Sequence, residues 1–229
     1  MNASNVCVSR QLFAVCLAAV LDGILSVFRP RWHVSRGVPS GLIQDSALVL
    51  DVSPSMETTD WQPSRLAAAK EAAEAYCRRT ASQNSRARIA IVSYGKRAEL
   101  LCRLTPAVNL RRLCSRIQAA RTIDCTNVHA GLATAGSAMR RCRRPCRIVL
   151  LSDGHHNYGR DPRPLAETLK HRAIIECIGI GGQPHDVDEA LMRDIASPDG
   201  RGGKRYRWIG DRQQLVERFE ELAGGITRE

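Results

Sequence analysis

Five side chains in this sequence have the types and spacing to hold a hard metal ion: Asp51, Ser53, Ser55, Thr126 and Asp153. Ser53 and Ser55 stand two apart in what reads as a loop, so both hydroxyls can turn toward one point with Asp51 beneath them. Asp153 follows an apolar run in the turn Ser152-Asp153-Gly154, and Thr126 lies in the loop from Thr122 to Asn127. Two carboxylates and three hydroxyls, without sulfur or a committed histidine, suit magnesium, with manganese or calcium as substitutes. His155 and His156 follow Asp153 and offer extra ligands or proton carriers, although loop histidines are more often simply solvated. His129 reads as a residue of the site rim, and Asp124 is an extra acid close enough along the chain to enter the shell around the ion. Catalytic signatures are missing: there is no Gly-x-Ser-x-Gly elbow, no phosphate-binding loop, and no second aspartate two residues after Asp51.

Bringing these residues together requires elements that end at one place. Short continuous apolar runs at Ala47 to Leu50, Ile89 to Val92, Ile148 to Leu151 and Ile174 to Ile180 read as strands buried on both faces, as in a parallel sheet covered by helices. Between them, apolar residues repeat at three and four: Leu66, Ala69, Ala73 and Tyr76; Leu110, Leu113, Cys114 and Ile117; and Leu215, Phe219, Leu222 and Ile226. Pro63 fits the first turn of the first helix, and Asp211 with Gln214 a capping box at the last. Arg97 to Cys102 follows the second strand after a turn too short for a crossover, which predicts an antiparallel edge strand. The expected fold is a doubly wound α/β domain with a mostly parallel sheet of about six strands, helices on both faces, spanning residues 44–229. In such sheets ligands sit beyond the carboxyl ends of the strands, where Asp51 and Asp153 are expected.

At Asp51, Ser53, Ser55, Thr126 and Asp153 the sequence resembles the von Willebrand factor type A domain, whose metal-ion-dependent adhesion site reads Asp-x-Ser-x-Ser, then a later Thr, then an Asp ending the fourth strand. The resemblance covers about residues 44–226. It implies that Ser53, Ser55 and Thr126 bind the ion directly or through one water, while Asp51 and Asp153 act from behind them. A cation held mainly by neutral hydroxyls keeps much of its charge and gains from a carboxylate arriving on another protein. The resemblance thus implies a metal-dependent protein-binding module that captures an acidic side chain of a partner, and no enzyme. Two departures stand out: Pro54 occupies a position where Gly is frequent, and Ile123, Asp124 and Cys125 replace paired glycines before Thr126.

Two other functions fit parts of the sequence: a metal-assisted hydrolase of phosphoesters with His155 or His156 as base, and a polyanion binder. The second rests on a net charge of +11. Of 34 basic residues 30 are Arg, a skew that GC-rich coding can produce, and the run Arg140, Arg141, Arg143, Arg144, Arg147 has no interleaved aromatic residue to stack a base. Nucleic acid is therefore not the expected partner. Nine cysteines form no CxxC pair, which disfavours a disulfide framework and fits a reducing compartment; Cys142 and Cys146 come nearest to a metal pair but have no further ligand nearby in sequence. Residues 1–43 differ in character. Leu12 to Phe28 reads as an amphipathic helix interrupted by Asp22, and residues 29–43 as a linker rich in Arg, Pro and Gly. The expected address is the cytoplasm, with association to a membrane surface through 12–28 as the alternative.

Overall fold

The computed structural model describes residues 45–142, 146–153 and 155–224. The chain divides after residue 32 into two units, and every described residue belongs to the second. The expected helix at 12–28, the linker at 29–43, and Arg143, Arg144, Gly154 and Ile226 lie outside the described residues. Among those described, no helix is long and apolar enough to cross a membrane.

In chain order the elements are β1 (Asp45–Asp51), α1 (Arg65–Gln83), β2 (Arg88–Tyr94), β3 (Ala98–Pro106), α2 (Leu110–Gln118), α3 (Val128–Met139) and β4 (Cys146–Ser152). There follow α4 (Arg163–Lys170), β5 (Ala173–Ile180), α5 (Glu189–Ile195), β6 (Tyr206–Ile209) and α6 (Arg212–Gly224). The six strands form one sheet in the order β3-β2-β1-β4-β5-β6. All neighbours are parallel except β2 and β3, so the edge strand is antiparallel as its short turn requires. Every residue of β1, β4 and β5 is buried, which is why these strands read as continuous apolar runs rather than alternating ones. The elements hardest to read were α4, α5 and β6. Each is short, and β6 has Arg207 at its centre and only Ile209 fully buried, leaving little apolar periodicity to detect.

Two apolar layers flank the sheet. One gathers the inward faces of α1, α2 and α6, where Tyr76 meets Phe219 edge to face and donates to Ser46 Oγ at 2.8 Å. The other holds Leu132, Ala135 and Met139 of α3 with Leu191, Met192 and Ile195 of α5. Two sequence expectations at helix starts need correcting. Pro63 lies outside α1: Ser64 is its cap, accepting from Ala67 N–H, and Pro63 precedes that cap. At α6, Asp211 does accept the Gln214 N–H at 2.9 Å, but the Gln214 amide turns to the same carboxylate instead of to the backbone, so the box is only half made.

The strand order reverses at β1, which lies between β2 and β4. Loops leaving the carboxyl ends of β1 and β4 therefore diverge and open a crevice. That crevice is where Asp51 and Asp153 emerge.

Candidate metal centre

The site grows out of the last residue of β1. Val52 N–H continues the ladder by donating to Tyr94 O at 2.9 Å, after which Ser53 begins a 3-10 turn over Pro54–Glu57. Pro54 sits at the first position of that turn, where its missing N–H costs nothing and its fixed φ favours the bend. Met56, fully buried, pins the turn to the core. Ser53 and Ser55 are thereby folded back over Asp51.

One continuous hydrogen-bonded chain links the two strands. Asp51 accepts from Ser53 N–H at 2.8 Å and from Ser152 Oγ at 2.7 Å. Ser55 Oγ donates to Asp153 Oδ1 at 2.8 Å, and Ser53 Oγ lies 3.0 Å from Ser55 Oγ. The Ser53 side chain also hydrogen-bonds Asp51. Asp153 Oδ2 accepts from Arg65 Nη1 at 3.2 Å. Four of the five expected residues thus share one network, to which the fold adds Ser152 and Arg65.

Thr126 reaches the same crevice by a different route. Its loop is fastened by Ile123 N–H to Val52 O at 2.8 Å and by Asn127 N–H to Gly95 O at 3.0 Å, so it hangs from the ends of β1 and β2. Gly95 permits this approach, because a Cβ there would lie 2.4 Å from the Ile123 carbonyl oxygen. From the β4 side, Asn157 Oδ1 accepts Thr126 N–H at 2.8 Å and Asn157 N–H donates to Thr126 O at 3.1 Å. Cys125 takes φ of 59°, the left-handed conformation a glycine would adopt freely, at a position where the sequence lacks the expected glycines. The loop keeps its path despite the missing glycines.

The neighbouring candidates are placed elsewhere. Asp124 is exposed and its carboxylate accepts Cys125 N–H at 2.8 Å, capping its own turn. His155 is exposed. His156 Nδ1 accepts Val128 N–H at 3.2 Å at the start of α3, and burial lowers its tendency to protonate. Its other ring nitrogen then carries the proton, with the Arg160 backbone as partner, so this imidazole has no free lone pair to act as a base.

The electrostatics point to a deficit of positive charge. Asp51 is fully buried, and burial, followed by repulsion from Asp153, pushes its pKa up to about 7. Burial also raises Asp153, against the pull of Ser55 and Arg65. The Arg65 guanidinium is divided among Asp60, at 2.6 Å, Asp153, at 3.2 Å, and Asp186, at 3.8 Å. One cation among that many carboxylates leaves the pair of buried aspartates incompletely neutralised. Hydroxyl oxygens and carboxylates short of positive charge are a donor set that fits a hard divalent cation. Arg65 was missed in sequence because it reads as an ordinary helix residue. Its position offered a signal, since an arginine at the first residue of a helix opposes the dipole and needs a local carboxylate to justify it.

Residues 47–156 match the family described as von Willebrand factor type A domain. A UPF0353 protein of Mycolicibacterium vanbaalenii is 28% identical over 207 residues, covering 79% of this chain and 60% of the relative, so the chain spans well under two thirds of that relative's length. Among solved structures, a von Willebrand factor type A protein from Catenulispora acidiphila superposes with a TM-score of 0.67 at 21% identity, over 80% of this chain and 42% of that one. Proximal thread matrix protein 1 from the mussel byssus, with a zinc-occupied MIDAS motif, gives 0.64 at 20% identity, over 79% and 44%. These likenesses agree with the sheet order and helix layers described above.

Proposed function

The chain carries a von Willebrand factor type A domain, and from that premise we propose that it is a metal-dependent protein-binding module whose divalent cation captures an acidic side chain of a partner protein. The observation that carries this reading is the chain Ser152–Asp51–Ser53–Ser55–Asp153–Arg65, in which two buried carboxylates hold hydroxyls in place while remaining short of positive charge. Ser53, Ser55 and Thr126 would hold the ion, with Asp51 and Asp153 behind them. The ion supplies an electrophilic point for a carboxylate. This chain's own residues do the rest: Asp51 and Asp153 orient the serines, Arg65 holds Asp153, and Asn157 holds Thr126. Magnesium is the first choice for such oxygen donors, with manganese or calcium next, and the zinc of the mussel protein's motif widens the range to be tested.

Calorimetry with magnesium, manganese, calcium and zinc tests the reading, followed by partner capture with and without chelator. Binding in the wild type that is lost in Asp51→Ala and Ser53→Ala supports it; equal heats in all three discard it. The hydrolase alternative loses His156, which is engaged as an acceptor, and keeps His155. For the address of the protein we keep the cytoplasm, with membrane association through 12–28 as the alternative, separable by fractionating the full chain and one lacking residues 1–40.

A further inference from the structure

At the amino ends of the strands, opposite the candidate metal centre, the first residues of three parallel strands stand in one rung: Arg88 of β2, Asp45 of β1 and Cys146 of β4. Paired residues of neighbouring strands point to the same face. There the Arg88 guanidinium donates to both oxygens of Asp45, at 2.8 and 2.6 Å. Cys142, just past the end of α3, joins the group: its sulfur, that of Cys146 and a carboxylate oxygen of Asp45 all lie within 4.8 Å of one another. Cys142 is partly exposed and Cys146 is buried beneath it.

Two thiols and a carboxylate so close admit two chemistries, capture of a thiophilic metal ion or closure of an S–S bond. The surroundings favour the second. Asp45 already commits both oxygens to Arg88, which leaves a metal only two good ligands, and Arg172 adds positive charge at Cys146. The two arginines offset the Asp45 charge beside Cys146, and positive charge near a thiol favours its thiolate. The hydrogen bond from Cys142 holds Cys146 below the usual thiol range, with Arg172 and Arg88 helping against burial and the Asp45 charge, while Cys142 itself is raised. The contrast with Cys77 and Cys177 is plain, since burial pushes both of those upward.

We propose that Cys142 and Cys146 form an oxidation site that closes to a disulfide on exposure to hydrogen peroxide. The Cys146 thiolate attacks one peroxide oxygen, the O–O bond breaks, and the departing hydroxide takes a proton to leave as water, giving a sulfenic acid. Cys142 sulfur then attacks the oxidised sulfur; its proton goes to the leaving hydroxyl, a second water departs and the S–S bond forms. One dithiol and one peroxide thus yield one disulfide and two waters. The crosslink would tie the end of α3 to the start of β4.

The reduced full chain is treated with hydrogen peroxide, alkylated, and mapped by mass spectrometry without reduction. A Cys142–Cys146 linkage is expected, with alkylation of the pair falling about tenfold relative to Cys77 and Cys177 and recovering after a dithiol reductant. In Cys142→Ser, Cys146 should stop at the sulfenic acid and be trapped by a 1,3-dione, with circular dichroism confirming the fold. Both thiols remaining fully alkylatable after peroxide overturns the proposal. So does a cadmium–thiolate charge-transfer band in the untreated chain that vanishes in both Cys142→Ser and Cys146→Ser, which would make this a metal site instead.

Discussion

Strand β1 begins and ends on a buried aspartate, and the two are satisfied in opposite ways. Asp45 at the amino end receives both arms of the Arg88 guanidinium, a charge-assisted pairing that neutralises it where it stands. Asp51 at the carboxyl end receives neutral donors, the Ser53 N–H and the Ser53 and Ser152 hydroxyls, with the Asp153 carboxylate near enough to repel it. The same residue type, on the same strand and similarly buried, is closed at one end and incomplete at the other. A buried carboxylate without a counter-charge is costly, and the proposed cation would relieve that cost at Asp51.

Removing the incomplete carboxylate should have the largest effect. Asp51→Ala and Asp51→Asn are each expected to weaken magnesium binding by about 100-fold or more, the upper range for altering groups that orient a metal's ligands. Calorimetry that finds full affinity in either variant breaks the comparison. Next comes the bridge to Asp153: Arg65→Gln removes the cation shared by Asp60, Asp153 and Asp186 and should cost about 3 kcal/mol of stability, read from denaturant midpoints in chelator.

The pH dependence follows from Asp51. Its pKa is about 7 in the native state against 3.8 ordinarily, so between those values the folded protein keeps a proton that the unfolded chain has lost. Stability of the metal-free protein should therefore fall as pH rises through this window, by on the order of 4 kcal/mol over its whole width. A metal ion competes with that proton, so the rise in Tm on adding magnesium should grow over the same range. Melting curves at pH 5 and pH 8, with magnesium and with chelator, check both signs, and Asp51→Asn should flatten both.

At the closed end the effect should be small. Arg88 is half exposed, so Arg88→Gln is expected to cost about 1 kcal/mol and leave magnesium affinity unchanged. A loss of metal binding there would show that the two ends are coupled. Smallest of all, Cys125→Gly should stabilise the Thr126 loop by roughly 1 kcal/mol, by relieving the left-handed backbone, as equilibrium unfolding would show.

Much of this architecture was legible in the chain. Continuous apolar runs such as Ile148 to Leu151 announce strands covered on both sides, and the short turn before Arg97 announces the antiparallel edge. That Asp51, Ser53, Ser55 and Asp153 would come together was legible because hard-ligand residue types recur at successive strand ends. The residues that escaped are those whose role depends on a distant partner. Arg65 reaches Asp153 across 88 positions, and Asn157 reaches Thr126 across 31. Asp45 lies far along the chain from Cys142 and Cys146, and no local pattern joins them.

Periodicity and residue type are local properties, and they were enough to specify the layered α/β fold and the oxygen-rich character of the site. Which charges end up paired is a matter of register and strand order. Parallel pairing sets Arg88 beside Asp45, and the reversal at β1 sets Asp51 beside Asp153. In a low-dielectric interior those few ångströms separate a carboxylate paired with a guanidinium from one repelled by its neighbour.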